Sequence, residues 1–145
     1  MEHFTINGTL FLAFVNNRGD ITKHKTSSMI YKMKESTGRF TLYETLQTRD
    51  ALGVEYFSIA ERHFLAVAYH WEGTYQLESV IFQWNGKLFD VFQKIPAKGA
   101  SHLTFFTING DISTWQWQIT MMEAPIPQNQ SSTNGTAASL TRFRR

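Results

Sequence analysis

The side chains that could do chemistry are spread along this 145-residue chain rather than grouped. The histidines show no paired spacing of metal ligands, and they are His3, His24, His63, His70 and His102. Ser79 has no adjacent histidine that could activate it as a nucleophile. Four glutamates in the region 55–78, namely Glu55, Glu61, Glu72 and Glu78, form no pair of general acid and base. The sequence therefore predicts no catalytic residue, no metal site, no cofactor and no enzyme activity.

Composition narrows the classes of partner. The formal net charge is +2 and the basic residues are scattered, apart from Arg142, Arg144 and Arg145, which disfavours nucleic-acid binding. The absence of cysteine excludes a disulfide scaffold and thiolate metal sites. No stretch reaches the roughly 18 apolar residues of a membrane span. The apolar run 9–15 lacks the flanks of a signal peptide and favours a strand.

A repeat supplies the elements that must position any functional side chain. One unit comprises Phe57-Ser58-Ile59, Phe64-Leu65-Ala66-Val67-Ala68, Val80-Ile81-Phe82-Gln83-Trp84 and Phe89-Asp90-Val91-Phe92-Gln93. The same order runs upstream in Phe4-Thr5-Ile6, Leu12-Ala13-Phe14-Val15, Met29-Ile30-Tyr31-Lys32-Met33 and Phe40-Thr41-Leu42-Tyr43-Glu44. Phe4, Phe57 and Phe106 are 53 and 49 residues apart. A period in this range is typical of arrays whose units bury their apolar faces on each other.

Each unit predicts four short antiparallel strands. In the second unit these are residues 54–59, 63–69, 78–84 and 88–93, rich in β-branched and aromatic residues. Asn85-Gly86 predicts a two-residue hairpin turn with positive φ at both positions. The predicted core of this unit is Phe57, Ile59, Leu65, Val67, Ile81, Trp84, Phe89 and Phe92. The fold class is all-β, a partial β-propeller of four-stranded antiparallel blades.

The repeat also divides the chain. Residues 1–50 form a first blade, 51–100 a second, and 101–120 the start of a third, divergent unit, while the polar, turn-rich residues 121–145 predict a disordered tail. Two blades and part of a third cannot close a ring. We therefore expect a fragment, splice form or mispredicted chain that is marginally stable alone, and that either associates through exposed blade faces or acts only as part of a longer protein.

The second unit closely resembles the epilepsy-associated repeat (EAR), also called the EPTP repeat. The resemblance extends from Val54 to about Ala100, covers 4–46 with a longer middle loop, and reaches 102–110 in the third unit. It implies a seven-bladed propeller of secreted, extracellular proteins, and a protein-recognition module at the cell surface with a role in receptor binding or signalling, Notch signalling included. The alternatives are an adhesive spacer, a non-functional truncated isoform, or a carbohydrate-binding propeller whose tryptophans offer stacking faces.

The connections between strands are the predicted contact sites with an extracellular protein partner. The best candidates are the connections 17–27 and 70–76, and His70, Trp71 and Tyr75 in the second are the predicted partner-binding residues, because aromatic residues are enriched at interface hot spots. N-glycosylation acceptors are predicted at Asn7, Asn129 and Asn134, each followed two residues later by Ser or Thr.

Overall fold

The structure is a computed structural model, and it describes residues 1–17, 26–70, 78–96, 99–108, 111–121 and 138–142. These residues form strands and turns and contain no helix. The strands are β1 (Glu2–Ile6), β2 (Thr9–Phe14), β3 (Thr26–Lys34), β4 (Arg39–Thr48), β5 (Ala51–Ile59), β6 (Arg62–Tyr69), β7 (Glu78–Trp84), β8 (Phe89–Pro96), β9 (Ala100–Ile108), β10 (Asp111–Met121) and β11 (Ala138–Arg142). The predicted all-β class is confirmed.

Three antiparallel sheets follow the repeat in order. Sheet 1 contains β1 to β4, sheet 2 contains β5 to β8, and sheet 3 contains β9 to β11, with neighbouring strands paired in chain order. The two four-stranded sheets have the strand number and pairing of propeller blades, as a partial propeller requires.

The register of sheet 2 repeats that of sheet 1. Phe57 pairs with Phe64 as Phe4 pairs with Phe11. Both sheets carry a β-bulge at the same place, after Ile30 in sheet 1 and after Ile81 in sheet 2. A bulge leaves one residue of the partner strand unpaired and bends that strand. Equivalent positions in the two sheets can therefore be compared residue by residue.

In sheets 1 and 2, a tight turn joins the first strand to the second, and both residues of each turn have positive φ. Asn7 and Gly8 have φ of 50° and 78°, and Ala60 and Glu61 have φ of 47° and 62°. Asn-Gly suits such a turn, whereas Ala and Glu are strained there because their Cβ atoms crowd the backbone. Sheet 2 therefore carries strain that sheet 1 avoids.

The turn predicted at Asn85-Gly86 is wrong in type. Trp84 pairs with Phe89, so the connection has four residues, and Gly86 has positive φ whereas Asn85 does not. The Asn85 side chain instead accepts hydrogen bonds from the backbone N–H groups of Lys87 (2.9 Å) and Leu88 (2.8 Å). Such side-chain bonds let asparagine build a turn without adopting positive φ.

The first strands approach each other across the sheets. Strand β1 contacts β5, and β5 contacts β9. A Cβ on Gly53 would lie 2.8 Å from the carbonyl oxygen of Ser101, closer than such atoms ever come, so this position of β5 needs glycine. Small buried residues accompany it in the core that sheets 2 and 3 share, namely Ala66, Ala68 and Ala100. Their size allows sheets 2 and 3 to pack closely.

Stacked aromatic rings join the sheets, and the contact repeats. Phe4 of sheet 1 stacks on Tyr56 of sheet 2, with ring centroids 4.7 Å apart and planes at 9°. Phe57 of sheet 2 stacks on Phe105 of sheet 3 at 4.5 Å and 18°. Tyr56 and Phe105 each stand one residue before the repeated phenylalanine of their own strand. The same pair of repeat positions therefore makes both interfaces.

A carboxylate bridges the outer parts of sheets 1 and 2. Both oxygens of Glu44 accept from the backbone N–H of Phe89, at 3.2 and 3.1 Å. Burial raises the pKa of Glu44, the bond from Phe89 lowers it, and the charge of Asp90 raises it further. The net pKa lies above 4.5 because desolvation penalises the charged form more than the hydrogen bond favours it.

The predicted core of the second unit is correct with one exception. Phe57, Leu65, Val67, Ile81 and Phe89 are buried, and Ile59 and Trp84 are half-buried and pack against the core. Phe92 is 43% exposed, so its assignment to the core was wrong. It sits at the β-bulge, which breaks the alternation on which the prediction rested.

Part of the predicted disordered tail is a strand. Residues 138–142 form β11 and pair with 116–120 of β10, so disorder was wrong for these five residues. Residues 122–137 and 143–145 lie outside the described residues. Because β11 pairs with β10 as β7 pairs with β6, the tail supplies a third strand to sheet 3.

Replacing the strained turn of sheet 2 with that of sheet 1 should stabilise the protein. We expect Ala60→Asn with Glu61→Gly to raise the free energy of unfolding by roughly 1–2 kcal/mol, because both residues then tolerate positive φ. Denaturant unfolding measures the change. The reciprocal variant, Asn7→Ala with Gly8→Glu, is the matched control and should lose stability. A loss of stability on substituting the turn of sheet 2 in this way would contradict the assigned turn.

Glu44 should make stability fall as pH rises. Because its pKa is higher in the folded chain, the folded state binds the proton more tightly, and the free energy of unfolding decreases as pH rises from about 4.5 through the folded-state pKa. Glu44→Gln keeps an acceptor for Phe89 and removes this titration, so the stability of the variant relative to the parent should increase over that range.

Unfolding curves at several pH values measure this difference. Glu35→Gln, an exposed glutamate in the turn between β3 and β4, is the control. Parallel pH profiles for the parent and Glu44→Gln would show that the carboxylate is not desolvated at this interface.

Candidate interaction surface

The two connections singled out in the sequence leave neighbouring sheets at the same end. One follows β2, which ends at Phe14, and the other follows β6, which ends at Tyr69. These strands hold equivalent places in sheets 1 and 2. We call this end the connection end, and the opposite end, with the tight turns, the turn end. Trp71 and Tyr75 lie outside the described residues, as do Asn129 and Asn134.

The linker between sheets 1 and 2 ties the starts of both connections together. The N–H of Ala51 donates to the carbonyl oxygen of Asn16 (3.1 Å), and the N–H of His70 donates to the carbonyl oxygen of Asp50 (3.1 Å). The amide of Asn16 also donates to the carbonyl oxygen of Ser27 (2.6 Å), where the first connection ends. One short linker therefore fixes the point from which each connection departs.

His70 is the one predicted partner-binding residue that the structure describes. Its Nδ1 lies 3.9 Å from an Asp50 carboxylate oxygen, and both side chains are partly exposed, at 28% and 23%. The imidazole is therefore accessible from solvent while its backbone is held by the linker. When protonated, the ring would gain an ion pair with Asp50.

A second linker lies on the other side of His70. Gly99 precedes Ala100 as Asp50 precedes Ala51. Gly99 and Asp50 both have positive φ, at 66° and 40° respectively. A Cβ on Gly99 would lie 3.5 Å from the carbonyl oxygen of His70. The connection 70–76 therefore begins at a residue, His70, that lies between two linkers. Loops on such rigid supports are where proteins commonly place recognition residues.

Buried hydroxyl groups fix the strand ends beneath this surface. Ser79 is fully buried, and its Oγ accepts from the N–H of Tyr69 (3.3 Å). Ser28, at the equivalent position of sheet 1, shares a hydrogen bond of 2.8 Å with Thr48. Burial raises the pKa of Tyr69 to about 12, although the charge of Arg49 lowers it, so this phenol stays neutral at physiological pH. Satisfied buried polar groups of this kind rigidify the backbone that carries them.

Asn7 lies at the other end of the molecule. It is exposed in the turn between β1 and β2. A glycan there would extend from the turn end and leave the connection end uncovered. Its glycosylation remains a prediction.

Within the part of the chain that the structure describes, the remaining titratable groups offer no alternative centre. Burial raises the pKa of Glu55, the charge of Glu2 raises this pKa further, and the charge of His102 lowers it. The three side chains belong to β5, β1 and β9, which are the first strands of the three sheets. His63 Nδ1 lies 2.7 Å from the hydroxyl of Tyr56. Among the residues that the structure describes, no group of three or more His, Asp or Glu side chains could hold a metal ion. Over the same residues, no helix has the length and apolarity needed to span a membrane.

Sequence reasoning missed the linkers. Asp50 and Gly99 do not stand out as recognition residues, yet they set the geometry of the connection end. The signal was present as Asp50-Ala51 and Gly99-Ala100, which recur 49 residues apart, close to the period of the repeat. A polar or glycine residue before a repeated alanine marks the positive φ that starts each new sheet.

Comparison with known proteins shows which family the repeat resembles. A profile of the EPTP domain matches residues 39–85, which begin with β4 and end directly after β7. The matched unit therefore takes the last strand of one sheet and the first three of the next, so it spans the sheet interface described above.

Two relatives align over most of the chain. The thrombospondin-type laminin G domain and EAR repeat-containing protein of Homo sapiens is 39% identical over 110 residues, and its Mus musculus counterpart is 38% identical over the same length. The alignment covers 74% of this chain and 16% of each relative. The chain thus spans about a sixth of the length of the curated relatives it matches. By its EPTP match, its identity to these relatives and its repeated four-stranded sheets, this chain belongs to the EAR (EPTP) repeat family.

Proposed function

We propose that this chain is a non-enzymatic protein-recognition module of an EAR propeller, and that the connection end is its contact surface. The observation that carries the proposal is the linker geometry, in which Asp50 and Ala51 bind the residues that begin both long connections. Among the described residues of the turn end, no backbone–backbone hydrogen bond joins sheets 1 and 2, and the carbonyl oxygen of Lys87 accepts instead from the side chain of Tyr43.

The candidate nucleophile does not support enzyme chemistry. The hydroxyl of Ser79 is fully buried and engaged with the backbone of Tyr69, away from any described histidine contact. A nucleophile needs a neighbouring base and access to substrate. A binding role is therefore the better account of the polar groups that the structure describes.

The proposed partner is an extracellular or cell-surface protein. The relatives carry a thrombospondin-type laminin G domain together with EAR repeats, according to their names, and this combination favours a role outside the cell. Within that role we propose receptor binding or signalling, Notch signalling included, with secretion as the route. His70, Trp71 and Tyr75 are the proposed contact residues, because Trp71 follows directly on the fixed His70 and Tyr75 stands five residues after it in the same connection.

Removing the two aromatic side chains should weaken binding. Trp71→Ala with Tyr75→Ala, introduced into the longest secreted protein that carries this chain, should lower affinity for cells that bind it by roughly tenfold or more, since truncation of hot-spot residues costs about 2 kcal/mol or more. Secretion should be unchanged. Flow cytometry with the tagged protein over a concentration series measures affinity, and immunoblotting of the culture medium measures secretion.

A matched control removes exposed apolar side chains from the turn end. Phe40→Ala with Leu88→Ala affects two residues that are each 38% exposed, and it should leave affinity unchanged. If the variant with Trp71→Ala and Tyr75→Ala binds with the affinity of the parent, the proposal is wrong. Absence of saturable binding by the parent would instead favour an adhesive spacer.

A further inference from the structure

The dipeptide Asn-Gly stands in a turn of sheet 1 and in a turn of sheet 2, and the two asparagines have different surroundings. Asn7-Gly8 is the tight turn between β1 and β2, and Asn85-Gly86 lies in the connection between β7 and β8. The Asn-Gly pairs at 109–110 and 134–135 lie outside the described residues. An asparagine before glycine is open to attack by its own backbone, because glycine has no Cβ to hinder the approach.

The carboxamide of Asn85 is held on both sides. Its Oδ1 accepts from the N–H groups of Lys87 (2.9 Å) and Leu88 (2.8 Å), and its Nδ2 donates to Oδ2 of Asp90 (2.6 Å). The N–H of Asn85 also donates to the carbonyl oxygen of Leu88 (2.9 Å). The side-chain bonds must break before the carboxamide can turn toward the backbone, so the fold protects this asparagine.

Asn7 has no such restraint. Its side chain is exposed, and within the described part of the chain neither this side chain nor the N–H of Gly8 forms a hydrogen bond. A Cβ on Gly8 would meet no atom within 4 Å, so the space beside the backbone nitrogen of Gly8 is open. The carboxamide carbon and the nitrogen that could attack it are therefore both accessible.

The strand before this turn offers little resistance to local opening. β1 has five residues and lies at the edge of sheet 1, where it pairs only with β2. Edge segments of this kind open at a small fraction of the free energy of global unfolding. Sheet 2 has Ala60-Glu61 at the equivalent turn, which is strained but carries no carboxamide. The relaxed turn of sheet 1 is thus the one that contains a reactive dipeptide.

We propose that Asn7 is a site of spontaneous backbone rearrangement. The backbone nitrogen of Gly8 attacks Cγ of Asn7 and forms a new C–N bond, while the bond from Cγ to Nδ2 breaks. The proton lost by the attacking nitrogen leaves with Nδ2 as ammonia. Water then opens the cyclic imide at either of its carbonyl groups, which yields aspartate or isoaspartate. The reaction needs no reactant other than water.

Either product changes the turn end. Both remove the predicted glycan acceptor and add a negative charge in the turn between β1 and β2. Isoaspartate also inserts an additional carbon atom into the backbone of a two-residue turn. Because turn length fixes the register of a hairpin, this insertion disturbs the pairing of Ile6 with Thr9. Glycosylation and rearrangement are therefore alternative fates of the same carboxamide nitrogen.

Mass spectrometry of the full chain, produced in bacteria without glycans, tests the proposal. The folded chain is incubated at neutral pH in water enriched in heavy oxygen, which marks the products formed during incubation. We expect position 7 to convert faster than position 85 by roughly tenfold or more, because three side-chain hydrogen bonds must break at Asn85. In denaturant the two positions should convert at similar rates.

Two variants test the physical cause. Ala60→Asn with Glu61→Gly transfers the turn of sheet 1 to sheet 2, and position 60 should then convert at a rate close to that of position 7. Asp90→Ala removes the partner of Nδ2 and should speed conversion at position 85 several-fold while leaving position 7 unchanged.

These rates decide the matter. Fast conversion at position 7, with position 85 protected only in the folded chain, supports the proposal. Conversion at position 7 that is no faster than at position 85 in the folded chain overturns it. A position 60 that stays unreactive in the variant with the transferred turn also overturns it, because the open turn would then not be the cause.

Discussion

Ring stacking between first strands is the interaction on which the rest of this structure depends. Phe4 lies on Tyr56, and Phe57 lies on Phe105, at nearly the same separation. Each phenylalanine also stacks on its own cross-strand neighbour, Phe4 on Phe11 at 5.5 Å and Phe57 on Phe64 at 4.9 Å. Aromatic rings bury large apolar areas with defined geometry, so one repeated contact sets both the spacing and the orientation of successive sheets.

The other features of the fold follow from that spacing. First strands brought this close leave no room for a Cβ at Gly53, which explains the small residues around it. Short linkers must then turn sharply between sheets, and Asp50 and Gly99 do so with positive φ. The same linkers hold the start of the long connections at one end. A packing contact between aromatic rings therefore determines where a recognition surface can form.

The sequence predicted the strands and their grouping well, because aromatic and β-branched segments recur with turn residues between them. It failed where tertiary context overrides local pattern. Phe92 at the bulge after Ile81 is 43% exposed, whereas Tyr43 at the equivalent bulge of sheet 1 is half-buried, and alternation alone cannot show this difference. The side-chain hydrogen bonds of Asn85 replace the turn that Asn-Gly suggests. Strand β11 was missed because Ala138-Ser139-Leu140-Thr141-Arg142 is polar and becomes a strand only against β10. For the interaction surface, the sequence pointed to His70 and could not reveal the linkers that hold it.

Double-mutant cycles on the two stacked pairs test the central claim most directly. Phe4→Leu and Tyr56→Leu form one cycle, and Phe57→Leu and Phe105→Leu form the other, with the free energy of unfolding measured for each variant. If one repeated contact joins the sheets, both cycles should give coupling energies of about 0.5–1.5 kcal/mol. Phe4 with Phe105, which do not stack on each other, should be additive within about 0.5 kcal/mol. Additive effects in either stacked pair would contradict the account.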